Sequence, residues 1–195
     1  MSSDLKVTNI KHESSSSNNL VLASDGNVSI TNNLSAGTIG GNVTKKVRAF
    51  SAYASVAGSI ADSTWSNFGA VGTWTERYDT HGDYNNSTGV FQPTKAGIYL
   101  LGYSVSFGVI DSGEIIWSAM GKNWSSGDPT FEGYGWFRNK LGPSGGNIDH
   151  SNNGTSIISL TTSDTVKPLV IHNDGSSQNF TTNSTQFWGI YLGET

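Results

Sequence analysis

Residues 79–107 read DTHGDYNNSTGVFQPTKAGIYLLGYSVSF. A polar turn leads into a short strand ending at Phe91. A Pro93-to-Gly97 corner follows, and one long strand closes the stretch. Side chains of a strand alternate between its faces, so Tyr99, Leu101, Tyr103, Val105 and Phe107 share one side. The other side carries Ile98, Leu100, Gly102, Ser104 and Ser106, apolar first and then small and polar. Such a strand packs a core with its first face and meets a close neighbour or solvent with its second.

The flanking sequence repeats this pattern. Val47 to Tyr53 predicts a strand with Phe50 on the same face as Arg48 and Ala52. Thr73 to Tyr78 predicts another, with Trp74, Glu76 and Tyr78 on one face, while Trp65 and Phe68 cover a core edge before it. Ile115 to Met120 places Ile115, Trp117 and Ala119 inside or at an interface. Ser156 to Leu160 and Thr165 to His172 read as paired strands around the Ser163-Asp164 turn. Gly142 to Asn153 and Asn173 to Asn183 read as polar loops, and Thr185 to Leu192 as the last strand. The total of nine or ten strands, spaced by Gly and Asn turns, has the rhythm of an all-β sandwich.

The spacing in the opening stretch resembles the signature of the complement-type globular head, a jelly roll related to tumour necrosis factor. That signature runs from an Asn or Asp to an aromatic, to a Phe, and then to Gly-x-Tyr-x-Phe-x-aromatic. Here the positions are Asp79, Tyr84, Phe91, Gly97, Tyr99, Leu101 and Tyr103. Leu101 replaces a Phe, and Thr73 with Trp74 stands where a further Phe is expected. The resemblance extends back to Ala49-Phe50-Ser51 and forward to the Phe-x-Gly of Phe187 and Gly189. It implies a trimeric jelly-roll head over residues 46–195.

Composition agrees with such a head. Charged residues are 13% of the 195, about half the usual ~25%. Six Trp within 11% aromatics supply a sizeable core. The net charge of −4 lies wholly beyond residue 45, so no basic surface awaits nucleic acid. No apolar run is long enough to cross a membrane. Cys is absent, which excludes disulfides and thiolate metal sites. The opening Met1-Ser2-Ser3-Asp4 lacks the character of a secretory signal.

Residues 1–45 form a different region. Leu20-Val21-Leu22 precedes the turn Ser24-Asp25-Gly26-Asn27, and Val28 and Ile30 alternate with Ser29 before Leu34. Strands this short bury too little surface to fold alone. Neither a heptad nor a collagen period is present. The economical solution is three chains wound together, with Val28, Ile30 and Leu34 meeting at an axis. Asp-Gly-Asn turns beside sparse apolar strands resemble the shafts of bacteriophage tail fibres. The resemblance implies an N-terminal arm or shaft, used for trimerisation and for attachment to a virion.

Catalytic motifs are missing. The four His (His12, His81, His150, His172) fall outside zinc-ligand spacing. Asp79, His81 and Asp83 could hold calcium or a sugar hydroxyl, or form a solvated turn, and the same choice applies to Asp149-His150. No nucleophile elbow, phosphate loop or marked carboxylate pair exists. The reading is therefore no enzyme, no cofactor and no metal. Trp124, Tyr134 and Trp136 lie in or near loops. Aromatic rings among Asn, Asp and Ser suit sugar stacking, or else fill a core or trimer interface.

These readings converge on a virion structural protein. It would be a homotrimeric phage tail-fibre or spike protein, made in the host cytoplasm, whose arm binds a tail or capsid protein. Its head would face the host surface, a glycan being the candidate ligand there. The same features suit a capsid-decoration or head-fibre trimer, or a free lectin-like module.

Overall fold

The computed structural model describes residues 9–10, 20–22, 28–30, 47–111, 114–129, 134–140 and 148–194. Backbone packing divides the chain into two compact units, residues 1–45 and 46–195. In the first unit, β1 (Asn9–Ile10), β2 (Leu20–Leu22) and β3 (Val28–Ile30) form an antiparallel sheet in that order. Leu20 lies opposite Ile30 and Leu22 opposite Val28. Where the sequence suggests winding between copies, these strands pair within one chain. Val28 and Ile30 lie on β3, and the third expected axial residue, Leu34, lies outside the described residues.

The second unit is all-β. In chain order its strands are β4 (Ala49–Val56), β5 (Ser59–Ile60), β6 (Ser66–Asn67), β7 (Thr73–Asp79), β8 (Tyr84–Asn85) and β9 (Val90–Phe91). They continue as β10 (Gly97–Ile110), β11 (Ile115–Lys122), β12 (Tyr134–Lys140), β13 (Ile148–Leu160), β14 (Val166–His172), β15 (Gln178–Asn179) and β16 (Gln186–Gly193). One antiparallel sheet has the order β13-β10-β16-β4-β7. The facing sheet has the order β12-β11-β14-β9-β8, with β6 also on β14. A small pair, β15-β5, forms a separate two-stranded sheet. The chain crosses repeatedly between the two large sheets, which makes a jelly roll of eight strands of seven or more residues.

The long central strand β10 behaves as its alternation demands. Tyr99, Leu101, Tyr103, Val105 and Phe107 are all buried. On the reverse face, Gly102 lies opposite Trp188 of β16. A Cβ at Gly102 would stand 2.2 Å from the Trp188 ring, so only glycine lets the indole lie across the strand. Inward-facing Phe50, Ala52 and Ala54 of β4, Ile158 and Leu160 of β13, and Val166 and Val170 of β14 complete one continuous core.

Several local expectations change. β13 and β14 are not a hairpin: β13 pairs with β10, and β14 pairs with β11 in the other sheet. The Ser163-Asp164 turn is thus a crossing between sheets. Residues 148–153, expected within a loop, extend β13 along the end of β10. The 173–183 segment is also more than a loop, because it holds β15 and a buried Phe180 bridged to Phe107. On β7, a register shift against β4 at Arg77 separates Tyr78 from the face that Trp74 and Glu76 share. Trp74 turns inward and its indole N–H reaches the carbonyls of Phe68 (3.1 Å) and Val71 (3.0 Å), whereas Glu76 and Tyr78 are exposed.

Asp164 fastens the crossing. Its carboxylate accepts from the Thr161 N–H (2.7 Å), the Thr161 hydroxyl (2.8 Å) and the Asn123 amide (2.8 Å), and pairs with Lys122 (3.2 Å). Burial by itself would raise this carboxyl; the Thr161 and Asn123 hydrogen bonds and Lys122 outweigh it and hold it well below the usual range. A carboxyl depressed in the folded state stabilises fully above its unfolded value, about 3.9, and loses that contribution as pH falls below it. Asp164→Asn is therefore expected to cost about 1–3 kcal/mol at pH 7. Urea unfolding of both proteins should show the gap narrowing progressively below about pH 4.

Candidate functional site

The residues of the spacing signature gather in one place. Phe50 on β4 is stacked between Tyr84 and Phe91, with ring centroids 5.0 and 4.9 Å away and planes within 17°. Phe187 meets Phe50 edge-on at 5.1 Å, and Tyr99 meets Phe91 at 5.3 Å. Gly189 lies opposite both Phe50 and Leu101. A Cβ there would stand 2.4 Å from Leu101 and 2.6 Å from Phe50, which explains glycine two residues after Phe187. The Tyr103 hydroxyl donates to the Gly135 carbonyl (2.8 Å) and accepts from the Ser118 hydroxyl (2.9 Å), reaching from one sheet to the other. Burial pushes the phenols of Tyr84 and Tyr103 up. Tyr99 is pushed up to about 12 by burial and then by the charge of Asp83. This cluster is core, and its hydroxyls stay protonated.

The Asp79–Asp83 turn is committed to the fold. Asp79 accepts from the backbone N–H groups of His81 (3.1 Å), Gly82 (2.9 Å) and Tyr84 (2.8 Å). His81 Nδ1 lies 2.8 Å from the Thr80 hydroxyl. Asp83 is buried and ion-paired with Arg48 at 2.7 Å, and it also accepts from the Thr94 N–H and hydroxyl. Neither carboxylate is left over for calcium or a sugar. Among the described residues no group of three His, Asp or Glu side chains could hold a metal ion, and no helix is long and apolar enough to cross a membrane. His150 sits on β13, with Nδ1 3.2 Å from the Asn139 amide.

The three loop aromatics do not form one surface. Trp124 closes on its own loop: its indole donates to the Gly127 carbonyl (2.9 Å), and Lys167 lies over its ring at 5.6 Å. Tyr134 packs against the core. Trp136 lines a cleft, edge-on to Trp65 at 5.5 Å. Trp117 joins them there. The sequence places Trp117 inside or at an interface; inward at this point is Ser118, fully buried and hydrogen-bonded to the Tyr103 hydroxyl. Trp117 therefore faces out, 37% exposed. Arg138 is directly across on β12, its guanidinium 5.2 Å from the Trp117 ring centroid.

The cleft has a volume of about 480 Å³ and is walled by Trp65, Trp117, Trp136, Arg138, Pro129 and Asp128. A neighbouring hollow of about 310 Å³ shares Trp65, Trp117 and Asp128 and adds Asn173 and Ser63. Together they form an aromatic surface fringed by polar groups on the outer side of the β12-β11-β14 sheet.

Comparison with known proteins bears on the fold. No protein-family model matches the sequence, and no curated protein matches it. Among solved structures, murine APRIL is similar with a TM-score of 0.54 at 11% identity, covering 75% of this chain and 100% of that one. The globular domain of zebrafish complement 1qA protein has a TM-score of 0.50 at 15% identity, over 76% and 99% of the two chains. Eiger TNF from S. frugiperda has a TM-score of 0.53 at 12% identity, over 77% and 96%. The head is a jelly roll of the tumour-necrosis-factor and complement type. Identities this low establish architecture; function must come from the site.

The turn makes a direct prediction. Removing one partner of a buried ion pair strands the other, at about 3–5 kcal/mol. Asp83→Ala should therefore lower the stability of the head by about that amount, read from its urea midpoint. An unchanged midpoint would mean that the carboxylate is held for a ligand instead.

Proposed function

We propose that this chain is a homotrimeric, non-catalytic binding protein of a virion, a tail-fibre or spike protein. Its jelly-roll head meets the host surface, and residues 1–45 attach it to a tail or capsid protein. The observation that carries the trimer is the outward face of the β13-β10-β16-β4-β7 sheet. Ile157 (62%), Tyr78 (52%) and Leu192 (52%) are exposed there. Leu100 and Ile190, opposite one another in register, and Trp188, lying across Gly102, are half-buried beside them. An apolar sheet face of this kind calls for a partner. A closed ring of copies covers it with the chain's own surface.

The binding role is supported by how the carboxylates are used. Asp79, Asp83 and Asp164 are each saturated by the protein's own donors, which leaves them no part in acid–base chemistry. Attachment through residues 1–45 is supported by strands of two and three residues, too small to stand alone in water. Such a sheet gains most by docking on a larger assembly.

Placing charge on the apolar face tests the trimer. Ile157→Glu with Leu192→Glu should yield a folded single chain by light scattering; an unchanged mass would remove this face as the interface. Residues 46–195 alone should fold yet fail to join particles. If that fragment were still incorporated, the attachment role of residues 1–45 would be wrong. Copy number per particle separates a tail position, with few trimers, from decoration of capsid threefold sites, with many.

A further inference from the structure

We infer that the cleft between Trp65, Trp117 and Trp136 is a binding site for a neutral pyranose of a glycan. This deepens the recognition role proposed above and rests on it only for its biological setting. The cleft lies on the β12-β11-β14 sheet, whereas the face assigned to self-association belongs to the other sheet, so both can be used at once.

The argument begins with the rings. Trp117 and Trp136 are 37% and 40% exposed, although a solvated strand gains nothing by presenting indoles. Each ring is braced: Trp136 stands edge-on to the buried Trp65, and Trp117 carries the Arg138 guanidinium over its ring. Braced aromatic faces cost little entropy when a ligand stacks on them. Among the described residues, the indole N–H groups of Trp65, Trp117 and Trp136 donate to no protein acceptor, in contrast to those of Trp74 and Trp124.

The polar groups then define the ligand. Asp128 and Arg138 both line the cleft, yet they do not pair with one another. Neither forms a salt bridge with any described residue, although Arg48, Lys95 and Lys122 all do. One unpaired acceptor of charge −1 and one guanidinium of charge +1 sum to zero. The complementary ligand therefore carries no net charge, both donates and accepts hydrogen bonds, and offers an apolar face. A pyranose has that description: its axial C–H face stacks on indole, and its hydroxyls reach a carboxylate and a guanidinium together. The neighbouring hollow, with Asn173 and Ser63, gives room for a second residue of the glycan. The volume of about 480 Å³ is within the roughly 300–1,000 Å³ of small-molecule sites. A phosphate group, or any other ligand of a single charge sign, would leave one of the two charges unmatched.

The test uses the intact chain on an array of neutral and acidic oligosaccharides, followed by tryptophan fluorescence with the neutral glycan that binds. Trp117→Ala and Asp128→Asn change exposed side chains and should keep the fold and the solution mass. Each is expected to weaken neutral-glycan binding by roughly tenfold or more, the scale of one lost contact. Trp124→Ala, outside the cleft, should leave it unchanged. Absence of neutral-glycan binding, binding to acidic glycans only, or binding indifferent to Trp117→Ala would each overturn the assignment. A fall in mass with Trp117→Ala would mean that the cleft is instead a contact between copies. Because mass is measured on the same samples, failure of the trimer and failure of the glycan site are told apart.

Discussion

The head depends on one stack of rings. Phe50 lies between Tyr84 and Phe91, so a residue of one sheet is gripped by two residues of the other. Phe187 closes the stack at its edge, and Tyr99 extends it. Stacked and edge-on pairs add about 0.5–1.5 kcal/mol each beyond burial. Their larger effect is geometric, because flat rings fix the separation and rotation of the sheets. Gly189 follows from this: with Phe50 and Leu101 pressed against its Cα from either side, no Cβ fits. Asp79 follows too. By binding three backbone N–H groups it shapes the turn that delivers Tyr84 to the stack.

This explains what could be read from the chain. Period-two alternation places Tyr99 to Phe107 on one face without reference to anything else, and the ring spacing from Asp79 to Tyr103 is local in sequence. Both are short-range signals; Tyr84, Phe91, Tyr99, Leu101 and Tyr103 are buried, and Asp79 is half-buried. The pairing of β13 and β14 was not legible, because Ser163-Asp164 is the same turn chemistry in a hairpin and in a crossing between sheets. The alternation of β7 holds from Trp74 to Glu76 and fails at Tyr78 for a related reason: the register shift against β4 belongs to the pair, and one strand's sequence does not contain it.

The cleft was hidden for a third reason. Trp65, Trp117 and Trp136 come from separate segments that meet only after folding. Trp117 read as a residue either inside or at an interface, and it is Ser118, bonded to the Tyr103 hydroxyl, that takes the inward place. Loop position proved a poor guide: Trp124 is spent on its own loop, and Tyr134 on the core. The better signal was unused hydrogen-bonding capacity beside a braced ring, a three-dimensional property.

The two sheets divide the work in this account. One presents an apolar face that we assign to copies of the chain, and the other carries the polar-fringed indoles that we assign to a ligand. The central claim is that the first face is covered by two further copies. Light scattering of the intact chain across a dilution series tests it most directly. A mass of three chains, constant on dilution, is the predicted result. A single-chain mass at every concentration would contradict it, because Ile157, Tyr78 and Leu192 would then face water with no partner.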